Sequence, residues 1–287
     1  MSRHVISPHS VSVIVSSYNQ SRALRLVLTG FAAQSRTDFE LLIADDGSEE
    51  SILRVVEEFE SHAPFPVRFL TQPDYGFRKA RILNDAIVAS RGEQLVFCDG
   101  DCVPLRNFIS VHRAHYYPGT FCAGGRVALS AEQSRELSCE AVATGAHQRL
   151  LTSRWRRRLR WVHWKNVLYR YVGKRYKPKI LGCNWSADRE VLMRVDGFDE
   201  RYSQFGGEDS DIRNRLRNLS ATGISLWNSA FVLHLDHSLD PQRYARTGPR
   251  LRKDREVYEA GRNRVKARKG ISSRAATTAV EEPLDED

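Results

Sequence analysis

Short apolar runs alternate with helix-spaced segments across residues 11–99, and each run stops at small polar or acidic residues. Val11-Ser12-Val13-Ile14-Val15 is a β-branched run that closes on Ser16-Ser17-Tyr18-Asn19; residues 22–34 then carry Leu24, Val27, Leu28 and Phe31 at the spacing of one helix face. A second run, residues 39–44, stops at Asp45-Asp46-Gly47-Ser48, residues 52–59 read as a helix, and residues 67–70 as a third strand. Strand and helix in strict alternation require right-handed crossovers and hence parallel strands. The expected fold class is α/β, with a single doubly wound, mostly parallel sheet. Strand tips in such a sheet share one edge, where ligands bind, so the polar clusters at Ser17, Asp46, Asp74 and Asp99 are read as one site.

The densest of these stops is Leu95-Val96-Phe97-Cys98-Asp99-Gly100-Asp101-Cys102-Val103-Pro104. Two carboxylates at the tip of a buried strand repel each other and lose solvation, and a divalent cation offsets both effects. Oxygen ligands of this kind suit Mn2+ or Mg2+ rather than a soft metal. Gly100 permits close approach of a phosphate or sugar, and Pro104 prevents continuation as a central strand. By itself an Asp-Gly-Asp tripeptide is an ordinary surface turn; the acids at the neighbouring strand tips are what favour a site.

Beyond the turn at Gly76, apolar residues at 80, 83, 86 and 87 mark a helix, and Arg78, Lys79 and Arg81 crowd its start. Cations there oppose the helix dipole, which a bound phosphate explains and a solvated basic surface explains less directly. Residues 121–129 read as another strand, with Gly124-Gly125 marking a bulge or a close backbone approach.

With 287 residues the chain can bury a full core. No apolar run approaches the roughly 18 residues of a spanning helix, and residues 1–10 lack a secretory apolar core, so a cytoplasmic location is expected. Five cysteines without paired spacing argue against a disulfide framework or zinc site and for a reduced compartment, with Cys98 and Cys102 as small apolar fillers.

The net charge of +9 has one source: residues 154–179 hold eleven Lys and Arg and no acid, and removing those eleven from 44 leaves 33 basic against 35 acidic residues. Residues 134–176 read as helical, and Trp161, Trp164, Leu168 and Tyr171 recur on one face among the cations. Two readings are open: peripheral contact with an anionic membrane through 154–179, or aromatics packed on the core with solvated cations. Nucleic acid is not an expected partner, because no recognisable nucleic-acid module accompanies the patch.

Gly182-Cys183-Asn184-Trp185-Ser186-Ala187 leads into a helix over 189–195. Gly206-Gly207 then precede Glu208, Asp209 and Asp211 at the start of a helix over 212–219. These acids are either ordinary caps or include a general base held against a substrate. A last strand, 224–235, ends His234-Leu235-Asp236-His237, where His234 is a metal ligand or a loop residue. Residues 243–269 are charged and weakly helical, and 272–287 lack apolar periodicity and are expected to be disordered.

In this order the motifs resemble the inverting nucleotide-sugar glycosyltransferases of family 2, which have the GT-A fold, and the C-terminal half is similar to the galactosyltransferase and chondroitin-polymerase type of domain. Residues 13–19 resemble that family's first strand, with Ser16 in place of the more usual proline. The resemblance implies a nucleotide-sugar site at Ser17, Tyr18, Asp45, Asp46, Arg78, Arg81, Asp99 and Gly100, with UDP as the expected nucleotide. It further implies a metal site for Mn2+ or Mg2+ at Asp101, Asp99 and His234, acceptor contacts at Gly182, Asn184, Trp185 and Gly207, and catalysis by Asp209 with Glu208. The implied acceptor is a glycan or glycolipid, and the implied process is cell-surface polysaccharide or lipopolysaccharide synthesis. The lack of a QxxRW motif implies one sugar added per encounter. The corresponding organisation is a tail at 1–10, a nucleotide-sugar half at 11–130, a basic helical insertion at 131–180, an acceptor and catalytic half at 181–240, a charged extension at 241–271 and an acidic tail at 272–287. Outside this resemblance stand a nucleotidyltransferase, which lacks its glycine-rich loop here, and a non-catalytic glycan- or nucleic-acid-binding protein.

Overall fold

The computed structural model describes residues 10–173, 177–203, 207–237, 255–259 and 262–273. The expected alternation is present: β1 (Val11–Ser17), α1 (Ser21–Ala32), β2 (Glu40–Asp45), α2 (Glu50–Glu60), β3 (Val67–Thr71), α3 (Lys79–Ala89) and β4 (Gln94–Asp99) follow one another. β1 pairs in parallel with β2 and β4, and β2 with β3. Their side chains divide by the strand period of two: Val13, Val15, Leu41 and Ile43 face one core, and Ile14, Leu42 and Ala44 the other. Because both faces are covered, these strands are apolar almost throughout.

The remaining strands are β5 (Cys102–Pro104), β6 (Thr120–Ala128), β7 (Trp185–Asp188) and β8 (Thr222–His234). They extend the same eight-stranded sheet in the order β3-β2-β1-β4-β7-β6-β8-β5. β7 was not legible as a strand, yet it lies at the centre, antiparallel to both β4 and β6. The Pro104 expectation holds, since β5 is an edge strand paired only with β8. At Gly124-Gly125 both expected features coexist: the β6–β8 register shifts there, and a Cβ on Gly124 would meet the Asn184 amide at 2.1 Å.

The helical reading of 134–176 resolves into separate pieces: α4 (Phe108–Ala114) precedes β6, and α5 (Ala131–Glu136), α6 (Cys139–Ala143), a 3-10 turn at Ala146–Leu150 and α7 (Ser153–Tyr171) follow it. Ser130, Ser138 and Thr152 cap α5, α6 and α7 through their hydroxyls, and these caps cut the segment up. α7 lies against β8 with Leu159 and Asn166 buried. Trp161, Trp164, Leu168 and Tyr171 point the other way and are 63%, 63%, 59% and 83% exposed, so they do not pack on the core.

α8 (Arg189–Arg194) and α9 (Glu208–Asn218) complete the core. Arg215 is buried, paired with Asp211 at 2.7 Å, and donates to the carbonyls of Val195 and Gly197, tying α9 to the end of α8. Residues 262–273 strap across this junction: Ile271 N donates to Asp196 O, and Ser272 bonds the Asp196 carboxylate. Ser272 is thus ordered, contrary to the expectation for 272–287; residues 274–287 lie outside the described residues, as does most of the expected extension. Among the described residues no helix is long and apolar enough to cross a membrane.

Candidate active site

The tips of β1, β2 and β4 converge as the parallel topology requires. Ser16 Oγ donates to Asp99 Oδ1 at 2.8 Å, and Gly100 N donates to Ser16 O at 2.7 Å. Gly100 fits this approach because a Cβ would lie 2.9 Å from that carbonyl. Ser17 is buried at the same tip, and its carbonyl accepts from Asp46 N. Asp45 accepts from Ser48 N, Ser48 Oγ and Thr71 Oγ1. Asp46 accepts from Gln72 Nε2 at 2.5 Å and from Arg78 N at 3.0 Å. Both acids are buried, so they shape the loops after β2 and fix the start of α3. Tyr18 Oη donates to Asp74 Oδ2 at 2.9 Å on the exposed rim.

The cation that enters the site is Lys79, not either arginine singled out from the sequence. Lys79 Nζ pairs with Asp99 Oδ1 at 2.6 Å. Burial opposes its charge, but Asp99, Asp209 and Glu208 outweigh burial and hold it protonated, above the ordinary lysine range. Arg78 turns its guanidinium onto the Tyr75 ring, 4.8 Å from the centroid, and donates to the Pro73 carbonyl; Arg81 is exposed. The signal was available: position 79 lies three and four residues before Ile82 and Leu83, on the buried stripe of the helix.

Asp101 lies beyond Asp99 and faces β8. Its Oδ2 is 2.8 Å from His237 Nε2 and 3.6 Å from His234 Nε2, and Cys102 Sγ donates to its Oδ1. Burial pushes the Asp101 carboxyl up, but the His237 hydrogen bond and the field of His234 prevail and hold it at about 2. Burial keeps His234 below the ordinary histidine value, hence neutral with a lone pair to offer. Ligand atoms of Asp101, Cys102 and His234 lie within 4.8 Å of one another, as do those of Asp99, Cys102 and Cys183. A carboxylate with neighbouring imidazoles fits a divalent ion. His237 went unremarked, although its spacing of three from His234 was visible. Cys98, Cys102 and Cys183 are free and buried, in keeping with a filler role.

Across the cleft, α9 is preceded by Gly207, whose φ of 121° suits glycine, and a Cβ there would meet the Tyr202 ring at 2.9 Å. Gly206 lies outside the described residues. Glu208 is buried in the first turn, and Asp209 Oδ2 accepts from Gly182 N at 2.9 Å. Gly182 is needed for that approach, since a Cβ would sit 3.1 Å from both carboxylate oxygens. Burial raises the Asp209 pKa; Lys79 opposes the rise and Asp99 adds to it. Ser16, Lys79, Asp99, Gly182, Trp185 and Asp209 line one small cleft.

Trp185 is fully buried and stacks on Phe97 with centroids 4.2 Å apart and planes at 8°. Asn184 is likewise buried: its amide donates to Gly125 O and Ala230 O, and its oxygen meets His112 Nε2 at 2.9 Å. Burial lowers His112 to about 4, so it stays neutral. Asn184 therefore acts inside the structure, holding β6, β7 and β8 in register behind the cleft.

A parallel half-sheet with acids at its strand tips, faced by a carboxylate from a following helix, is the architecture of the GT-A glycosyltransferases. The chain belongs to glycosyl transferase family 2, whose model matches residues 12–192. Residues 163–238 also match a model described as the N-terminal domain of galactosyltransferase. Chondroitin synthase of Escherichia coli is 24% identical over 229 residues, covering 72% of this chain and 32% of that protein. Validoxylamine A glucosyltransferase of Streptomyces hygroscopicus subsp. jinggangensis is 26% identical over 217 residues, covering 72% and 51%. The chain thus spans about a third to a half of these relatives. The mannosyltransferase PcManGT from Pyrobaculum calidifontis, solved in complex with GDP-Man and Mn2+, shares the fold with a TM-score of 0.59 at 16% identity, over 97% of this chain and 66% of that one. The nucleotidyltransferase and non-catalytic readings give way to this family membership.

Proposed function

We propose that this chain transfers a hexose or N-acetylhexosamine from a nucleotide sugar, with UDP as the nucleotide, to a hydroxyl of a glycan or glycolipid in cell-surface polysaccharide synthesis, with inversion at the anomeric carbon. The observation that supports this most is the meeting of Asp99 and Asp209, from β4 and α9, on either side of Lys79 in one cleft. Residues 11–130 serve the donor and residues 181–240 the acceptor and the chemistry.

Asp45, Asp46, Ser17 and Tyr18 shape the nucleoside loops, and Lys79 holds Asp99 toward the diphosphate. Asp101, His234 and His237, with Asp99, would hold Mn2+, which when bound neutralises charge on the leaving diphosphate. Asp209 takes the proton of the acceptor hydroxyl as that oxygen bonds to the anomeric carbon and the diphosphate oxygen departs with the electron pair. Its raised pKa suits a base, and the Gly182 N–H fixes which carboxylate oxygen faces inward. Trp185 supports the acceptor side through its stack on Phe97.

The outer face of α7 supports a peripheral position at the cytoplasmic face of an anionic membrane. Trp161, Trp164, Leu168 and Tyr171 are exposed, Arg154, Arg157 and Lys165 share their face, and Lys165 Nζ sits 4.8 Å over the Trp161 ring. Two experiments test the reading. Release of nucleotide diphosphate from UDP-, GDP- and dTDP-sugars, with Mn2+ or EDTA, is expected for one donor and only with the metal; release from none, without nucleotide binding, contradicts it. Cofloatation with phosphatidylserine vesicles is expected and should fall with salt; absence of binding, or binding indifferent to salt, removes the membrane contact.

A further inference from the structure

Asp209, Arg213 and Arg217 occupy successive i, i+4 positions of α9, so one stripe of the helix runs from the proposed base to two guanidinium groups about 6 Å and about 12 Å along the axis. Lys179, exposed on the segment that carries Gly182 to Asp209, acts on Asp209, and Arg170, exposed near the end of α7, acts on Arg217, so both add to the stripe from two other elements. Lys179 and Arg213 feel the charge of Asp209, while the hydrogen bonds of Arg213 and Arg217 go to neutral groups. Arg213 donates to Asn214 Oδ1 at 2.9 Å, and Arg217 donates to the Lys177 carbonyl while its guanidinium lies 5.1 Å over the Phe121 ring. Arg217 Nε is buried without a hydrogen-bond acceptor. Among the described residues no carboxylate lies within ion-pair distance of Arg170, Lys179, Arg213 or Arg217, and Asp209 acts on Lys179 and Arg213 only through its field.

Like charges gathered beside one carboxylate, that of Asp209, repel one another, and the repulsion grows as water is excluded. Burial, then Arg170 and Arg213, bring Arg217 down to about 10; burial, then Lys165, Lys179 and Arg213, lower Lys177. The chain maintains this arrangement beside a base that itself carries negative charge, where an anion in the cleft would relieve it. Guanidinium groups with unfilled donors suit a planar or tetrahedral oxyanion.

We infer that the stripe from Lys179 and Arg213 to Arg217 and Arg170 is an acceptor subsite for an oxyanion, so that the acceptor carries a carboxylate or a phosphate close to the hydroxyl that Asp209 deprotonates. This rests on the proposed transfer reaction and narrows its acceptor class. The cluster is separate from the tip acids and histidines, which serve the donor.

The test is direct binding, by calorimetry at saturating UDP and Mn2+, of paired probes that differ only in charge. One pair is a glucuronate-containing tetrasaccharide and its carboxyl-reduced form; the other is a short-chain glycosyl phosphate lipid and its dephosphorylated form. The charged member of one pair should bind at least tenfold more tightly, and which pair does so names the source of the anion. Lys179→Gln, at an exposed position, and Arg217→Gln should each remove most of that preference while leaving the neutral probe unaffected. Equal binding of charged and neutral probes with UDP still bound, or a preference untouched by both variants, overturns the subsite and leaves the transfer reading intact. A charge preference in a protein that binds no nucleotide would keep the subsite and overturn the transfer reading.

Discussion

In the parallel half of the sheet Asp45, Asp46 and Asp99 sit among donors supplied by their own loops and by Lys79, whereas in the mixed half Arg170, Lys179, Arg213 and Arg217 crowd together without a carboxylate partner among the described residues. In one half the acids have their donors before anything binds; the other holds an excess of positive charge. A preformed donor site loses little order on binding, and an uncompensated acceptor site discriminates strongly between charged and neutral ligands. Lys79 joins the two, because it pairs with Asp99 and acts on Asp209.

The largest break in this comparison comes from the proposed base. Asp209→Asn keeps the size of the side chain and should lower turnover by about a thousandfold, within the usual 10²–10⁴ range of a general base, with nucleotide affinity unchanged by calorimetry. Next is the bridge. Lys79→Met leaves Asp99 without its cation and should destabilise the fold by about 3 kcal/mol in urea unfolding, as for one partner of a buried pair.

The same substitution sharpens the comparison through pH. Asp209 must be ionised to accept a proton, and burial raises its pKa, so the rate should fall on acidification at a pH above the ordinary aspartate value. Lys79 lowers that pKa, and its loss should move the acidic limb of the pH–rate profile further upward. A smaller effect concerns the frame behind the cleft. Gly124→Ala drives a methyl group into the Asn184 amide and should destabilise the protein by about 1–3 kcal/mol, measured by thermal unfolding. The smallest lies on α7, where Trp161→Ser with Trp164→Ser should change stability by about 0.5 kcal/mol or less while reducing vesicle binding.

Legibility followed the same division. The parallel strands announced themselves because both faces are buried and their runs are apolar, so β1, β2, β3 and β4 fell within a residue or two of expectation. β7 did not, because Trp185-Ser186-Ala187-Asp188 is four residues long and mixes polar side chains that are bonded inside the sheet: Ser186 Oγ meets His112 Nδ1 and accepts from Gln94. Asp99, Asp101 and Asp209 were legible as acids beside glycines. Lys79 was hidden by two arginines that flank it, and His237 by the residue three places before it. The stripe of Arg213 and Arg217 was present in the spacing, but its excess of positive charge is a property of three elements brought together, which no single segment displays.

The claim that one cleft joins a metal-assisted donor site to a separate base is tested most directly by measuring UDP affinity and sugar transfer side by side in Asp101→Ala and Asp209→Asn. Asp101→Ala is expected to lose Mn2+-dependent UDP binding and transfer together, while Asp209→Asn should bind UDP as the parent protein does and lose transfer alone. Normal transfer by Asp209→Asn, or undiminished Mn2+-dependent UDP binding by Asp101→Ala, would contradict it.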